Sequence, residues 1–248
     1  SVENKNLNPS NCIVYAYITD RNGKFIGKTA EQKLTLKVNE KLTTKQKISV
    51  SNPRLWSLED PYLYRVVVEV KRGANIIDKK VLRFGIRTIN VTKETVTLNG
   101  QKIKLLGVNN HQDHAGFGSA LPDYLQYYRV TLLKNMGVNA YRTSHNAPTP
   151  ELLDACDSLG MLVMDENRML NSGPEYMSQF ERLLKRDRSR TSVFMWSIGN
   201  ELPEVVDSLG YETSKKLADF VRNLDSSRPV TAAIPFHIPL IKRKKWDT

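Results

Sequence analysis

The stretch Ser192-Val193-Phe194-Met195-Trp196-Ser197-Ile198-Gly199-Asn200-Glu201 decides how this chain is to be read. Its first seven residues are apolar or small. Such a run suits a strand buried on both faces, as in a parallel sheet. It ends abruptly in an amide and a carboxylate. In a barrel of parallel strands, polar residues at the C-terminal strand ends lie on the face where chemistry is done. Glu201 is therefore the leading candidate for a catalytic acid, with Asn200 beside it.

Strands and helices alternate around this run. A hairpin is expected over residues 95–103, turning at Asn99-Gly100. Further strands are expected over residues 102–108, 138–142, 161–164 and 193–198, with a fifth starting at 229–233. Helices are expected over residues 123–136, 149–159, 174–188 and 211–223. Asp123 reads as an N-cap, Pro150 as a first-turn residue and Gly160 as a helix stop. Strict alternation implies parallel strands joined by right-handed crossovers.

The first crossover holds no Gly-x-Gly-x-x-Gly fingerprint and no phosphate loop. Polar groups instead end strand after strand: Asn109, Asn110 and His111; Arg142, Ser144 and His145; Asp165 and Glu166; Asn200 and Glu201. That pattern favours a (β/α)8 barrel over an open doubly wound sheet. A whole barrel takes eight such units in roughly 250 residues. Residues 87–248 supply four and the start of a fifth, so the expectation is the first half of an α/β TIM barrel.

Residues 1–86 read differently. Short runs at 13–18, 33–38, 47–50, 64–70 and 79–84 are divided by Asn22-Gly23, Asn52-Pro53, Asp60-Pro61 and Arg72-Gly73. They predict an all-β, immunoglobulin-like sandwich. The Cys-Trp-Cys core of antibody domains is absent, and Trp56 falls in a loop-like segment.

Composition narrows the partners. The 248 residues carry 37 Lys and Arg against 26 Asp and Glu, a net charge of +11. These charges are spread along the chain without aromatic interleaving, so they read as a solvated surface and no nucleic-acid partner is expected. The one dense cluster is Lys242-Arg243-Lys244-Lys245. No apolar stretch approaches the roughly 18 residues of a membrane span, so no membrane partner is expected. The opening Ser1-Val2-Glu3-Asn4-Lys5 shows no signal-peptide core, which leaves the compartment open. Cys12 and Cys156 form neither a disulfide framework nor a metal spacing, and Cys156 reads as a small core residue.

The cluster His111-Gln112-Asp113-His114 invites a metal reading, but no second tight cluster completes a ligand set. The alternative is neutral imidazoles, those of His111, His114 and His145, hydrogen-bonding a polar substrate. Arg142 would orient neighbouring carboxylates or brace the barrel rim. Asp165 and Glu166 are either catalytic or paired with Arg142 or Arg168. Two or more carboxylates around a barrel mouth suit glycoside cleavage.

Taken in order, several motifs resemble glycoside hydrolase family 2, which holds β-galactosidases, β-glucuronidases and β-mannosidases. They are Leu105-Leu106-Gly107-Val108-Asn109-Asn110-His111, Arg142-Thr143-Ser144-His145-Asn146-Ala147-Pro148, Met164-Asp165-Glu166 and Trp196-Ser197-Ile198-Gly199-Asn200-Glu201. Asn52-Pro53-Arg54-Leu55-Trp56 and Arg83-Phe84-Gly85-Ile86-Arg87 resemble the end of that family's immunoglobulin-like domain and its entry into the barrel. The resemblance implies a retaining β-glycoside hydrolase, β-galactosidase-like, with Glu201 as acid/base. A β-glucuronidase, a β-mannosidase or a non-catalytic carbohydrate-binding fragment are the alternatives.

Asn200 would bind the sugar 2-hydroxyl. His111, His145, Asp113 and Arg142 would also contact substrate or the reacting groups. An acid/base needs a buried or carboxylate-rich setting that keeps it protonated near neutral pH. The family nucleophile is a second Glu about 5 Å away, on a later strand. The chain is expected to end before that strand, and so to be inactive alone. The stretch Asn167-Arg168-Met169-Leu170-Asn171-Ser172 lacks the Glu and His that hold magnesium in the large β-galactosidases. No metal and no other cofactor is expected. Asn110 and Gln112 depart from the family pattern, which leaves the sugar open. A half barrel would expose strand edges, so a homo-oligomer through those edges is expected.

Overall fold

Alternation along the first strands builds the N-terminal part of the structure, a computed structural model that describes residues 1–201 and 208–234. The basic cluster at 242–245 lies outside the described residues. The chain divides into two compact units, Ser1–Leu55 with Tyr62–Ile86, and Trp56–Pro61 with Arg87–Thr248.

In the first unit the strands are β1 (Val2–Glu3), β2 (Ser10–Thr19), β3 (Phe25–Lys28), β4 (Gln32–Leu36), β5 (Lys41–Leu42), β6 (Tyr64–Arg72) and β7 (Asn75–Phe84). One antiparallel sheet runs β3-β2-β6-β7, with β4 also on β2, and β1 pairs β5. Cys12, Val14, Ala16 and Ile18 alternate inward along β2, as a half-buried strand requires. Cys12 and Val14 pack with Leu36 and Val70. Ile18 packs with Tyr62 and Tyr64. Residues 47–50 form no strand. Ile48 and Val50 pack on Ile18, Tyr62 and Tyr64 without a ladder partner. Their alternation reports a buried side, and pairing is a separate matter.

The second unit opens with the antiparallel strands β8 (Ile89–Val91), β9 (Val96–Leu98) and β10 (Gln101–Ile103). Asn99 at φ 52° and Gly100 at φ 81° make the expected hairpin turn. Then follow β11 (Gly107–Asn110), α1 (Asp123–Asn135), β12 (Ala140–Thr143), α2 (Pro150–Leu159), β13 (Leu162–Glu166), α3 (Pro174–Asp187), β14 (Val193–Asn200), α4 (Ser208–Leu224) and β15 (Val230–Ala233). The five parallel strands lie in chain order, β11 to β15. This is the opening of a (β/α) barrel, and the sheet does not close among the described residues.

Two further expectations, both in this second unit, need correction. The strand expected over 102–108 is divided, because the Asn139 side chain bonds Leu106 N at 2.8 Å and Lys104 O at 2.8 Å where a ladder would continue. Asp123 is the first helical residue of α1 and not its N-cap, which is Pro122. Its charge still complements the helix dipole there. Thr149, the first residue of the helix expected over 149–159, is the N-cap of α2, its Oγ1 accepting from Leu152 N at 3.3 Å.

The core of this unit packs the sheet against its helices. Val163, Val193, Trp196, Leu153, Cys156, Phe180, Leu184, Leu217 and Val221 are all buried in it. Trp56, read as a loop residue, is fully buried. Its Nε1 donates to Asp157 O at 2.8 Å. The N-terminal end of β14 is pinned by two guanidinium groups. Arg87 donates to Thr191 O at 2.8 Å and Val193 O at 2.6 Å, and Arg228 donates to Val193 O at 2.7 Å. Burial, with Arg228 adding repulsion, pushes the Arg87 pKa down to about 10. Anchoring this end sets where the opposite end, at Asn200, comes to rest.

Candidate active site

The C-terminal ends of β11 to β14 deliver polar side chains to one place. Alternation in β13 sends Asp165 and Glu166 to opposite faces. Glu166 is fully buried, and its partners are all donors. Oε2 accepts from Arg142 Nε at 2.8 Å and from Ser197 Oγ at 2.7 Å, while Arg142 Nη2 lies 2.7 Å away. Oε1 meets His145 Nδ1 at 2.7 Å. The Glu166 N–H donates to Thr143 Oγ1 at 3.0 Å. Thus β12, β13 and β14 are cross-linked at their tips through one carboxylate.

Arg142 Nη2 also donates to Asn200 Oδ1 at 2.6 Å. With its oxygen so engaged, Asn200 keeps its amide NH2 to offer a ligand hydroxyl. The His111 ring stands edge-on to that of His145, with centroids 5.2 Å apart. The structure therefore brings His111, Arg142, His145 and Asn200 together, and Glu201 follows Asn200 directly. Glu201 turns off the strand at φ 35°, and its N–H donates to Ala233 O at 2.9 Å. The strand register slips between Ser197 and Asn200, the kind of irregularity that re-aims side chains near functional sites.

Three of the residues singled out from the sequence lie outside this network. Glu201 is exposed, and the described residues do not by themselves bury it or surround it with carboxylates. Asp113 is exposed in the loop after β11 and takes no part in the network. His114 also stands apart, its Nδ1 2.9 Å from Ala115 O and its ring against Phe117. Local spacing grouped these residues with His111, but the loop turns back on itself through the His114–Gly118 bridge.

Glu166 is the hub of the site, and its pairing with Arg142 is one of the readings the sequence offered for Asp165 and Glu166. One feature escaped the sequence reading. Arg129 reaches from α1 to the His111 loop, bonding Asn110 Oδ1, His111 O and, at 3.1 Å, Gln112 O. An arginine within a helix gives no such signal. Arg168, weighed as a carboxylate partner, donates to His145 O at 3.2 Å instead. Among the described residues, no group of three or more His, Cys, Asp or Glu converges as a metal site would.

On the opposite face of β13, Asp165 is buried beside Asp187, which is held by Arg186 at 2.7 and 2.6 Å. Burial first, and the Asp187 carboxylate second, push the Asp165 pKa well above the ordinary value. Folded Asp165 therefore binds its proton more tightly than unfolded Asp165. Its stabilising contribution is complete below the unfolded pKa, about 4, and is lost as pH rises through the folded value. The urea midpoint is expected to fall as pH is raised from about 4.5 to about 8. Asp165→Asn, which cannot ionise, is expected to flatten that slope. Equal slopes in the two proteins would refute this account.

Comparison with known sequences gives the family. Residues 1–87 match the profile of glycosyl hydrolases family 2, and residues 89–175 and 171–242 match its TIM barrel domain. The chain belongs to glycosyl hydrolase family 2. It is 33% identical over 266 residues to the beta-galactosidase BoGH2A of Bacteroides ovatus, an alignment covering 90% of this chain and 31% of that protein. The crystal structure of a family 2 member from Bacteroides cellulosilyticus superposes with a TM-score of 0.84 at 33% identity, covering 96% of this chain and 32% of that one. The beta-glucuronidase of Bacteroides uniformis superposes with a TM-score of 0.81 at 26% identity, covering 94% and 30%. This family 2 chain thus spans about a third of the length of these relatives.

Proposed function

We propose that the chain forms part of a retaining β-glycosidase, β-galactosidase-like, with Glu201 as acid/base. One observation carries this reading: Asn200, Arg142, His145 and His111 meet at the ends of neighbouring parallel strands, with Glu201 next in sequence. The amide of Asn200 and the imidazoles of His111 and His145 suit a ring of sugar hydroxyls. Glu201 would protonate the leaving oxygen and then take a proton from the attacking water. Glu166, already bonded to four donors, is poorly placed to attack a sugar carbon. The reading therefore takes the nucleophile from outside these 248 residues. The similarity to named β-galactosidases favours galactose.

The test uses the natural-length protein and a panel of aryl β-galactosides, β-glucuronides and β-mannosides. Galactosides are expected to turn over fastest, with retention at the anomeric carbon. No turnover of any β-glycoside would end the reading, and a preference for glucuronides would overturn the sugar assignment. The 248-residue polypeptide alone is expected to show no turnover.

The edges β11 and β15 each have one strand neighbour among the described residues. Unpaired edges template further strand pairing. We expect the 248-residue polypeptide to self-associate; light scattering that finds a stable monomer would count against this.

A further inference from the structure

We infer that Glu166 is a positioning residue which fixes the tautomer of His145 and the aim of Asn200, and so decides what the site offers a sugar. Two neighbours make opposite demands on one nitrogen. Arg142 Nη2 lies 3.4 Å from His145 Nδ1 and can only donate. Glu166 Oε1 lies 2.7 Å from the same atom and, as a carboxylate, can only accept. The shorter contact prevails. His145 Nδ1 carries a proton and donates it to Glu166, and in the neutral ring Nε2 is left as an acceptor.

The other oxygen of Glu166 completes the device. Oε2 takes Arg142 through both Nε and Nη2, and Ser197 Oγ fills its remaining approach at 2.7 Å. Held in this fork, Arg142 presents Nη2 to Asn200 Oδ1 and so turns the Asn200 amide outward as a donor. One buried carboxylate thereby sets an acceptor on β12's tip and a donor on β14's tip. A sugar hydroxyl both donates and accepts, so it can be read by the pair. Glu166 itself touches no substrate in this arrangement. The kinetic half of the proposal rests on the glycosidase reading; the tautomer half does not.

Two measurements test it. The first is histidine-labelled NMR of the natural-length protein, with His145 assigned by His145→Gln. The Nδ1–H tautomer is expected for His145, and Glu166→Gln is expected to lose it, because an amide can donate as well as accept. Ser197→Ala, which leaves Oε1 in place, is expected to keep it. An Nε2–H tautomer in the unsubstituted chain would overturn the proposal, so the test survives a Glu166→Gln chain that fails to fold.

The second measurement is the pH–rate profile of the natural-length protein on an aryl β-galactoside. Glu166→Gln is expected to lower kcat/KM about a hundredfold through misplacement while keeping the alkaline limb. Loss of that limb in Glu166→Gln would make Glu166 the acid itself and refute the positioning role. Absence of turnover in the unsubstituted protein would sink the glycosidase reading and leave the tautomer result standing.

Discussion

Glu201→Gln is expected to lower kcat on aryl β-glycosides with poor leaving groups by about 10²- to 10⁴-fold in the natural-length protein. That range corresponds to about 3 to 5 kcal/mol of lost transition-state stabilisation. The amide keeps the shape of Glu201 and cannot transfer a proton. A departing alkoxide of high basicity needs that proton, whereas a nitrophenolate leaves with little help. The loss in the first step is therefore expected to shrink as the leaving group becomes more acidic. The second step has a different dependence, because attacking water must lose a proton whatever group has left. Azide carries no proton to lose. With substrates whose leaving group needs no acid, so that the second step limits, it is expected to restore turnover in Glu201→Gln and to yield a glycosyl azide, with little effect on the unsubstituted enzyme. Glu201 is exposed at the end of β14 and makes no contribution to the buried core, so the substitution should leave the thermal midpoint unchanged. Undiminished turnover of poor leaving groups would remove Glu201 from the mechanism.

Gly160→Ala is expected to be the most destabilising small substitution in the second unit, costing at least about 3 kcal/mol. Gly160 ends α2 in the left-handed region, at φ 74°. An L side chain there costs about 1 kcal/mol on backbone grounds alone. The larger cost is steric: an added Cβ would lie 2.3 Å from Leu58 O and 2.9 Å from Leu58 C. Both are backbone atoms and cannot swing aside. Lys134 Nζ holds the same two segments together, donating to Leu58 O and Gly160 O at 2.9 Å each. Any shift that relieved the overlap would strain these bonds and the seat of Trp56. Gly137 supplies the control. It has φ 85° but nothing within 4 Å of its added Cβ, so Gly137→Ala should cost only about 1 kcal/mol. Urea unfolding of the two variants reads the difference. Equal midpoints would mean that the approach to Leu58 does not matter. A domain has about 5 to 15 kcal/mol in all, so the larger loss would depopulate the folded state measurably.

The parallel sheet was legible because its signals are local and redundant. The apolar run before Asn200, Pro150 in the first turn of α2 and Gly160 after its end each specify a conformation from a few neighbouring residues. The strand-end motifs were legible for the same reason, since a strand that stops at a polar pair places that pair at the sheet's rim. Family resemblance added the order of the motifs and the proposed role of Glu201; the profile matches to both parts of the chain agree with the family. Other expectations went astray where a local pattern had a different partner. Ile48 and Val50 alternate like a strand but lie on a hydrophobic cluster without pairing. Asp113 and His114 sit beside His111 in sequence, yet neither joins the network at the strand tips, and the chain turns locally between His114 and Gly118.

The order of the residues alone was enough to establish the strand and helix sequence, the polar strand tips and the placement of Asn200-Glu201 at the rim. Only the folded arrangement could select which carboxylate is the hub. Asp165 and Glu166 are adjacent and chemically equivalent, and the pleat of β13 sends one to the helix layer and the other to Arg142 and His145. Their difference comes from contacts across more than twenty residues of chain. Periodicity and capping act over a turn or two; desolvation and hydrogen-bond partners act through space.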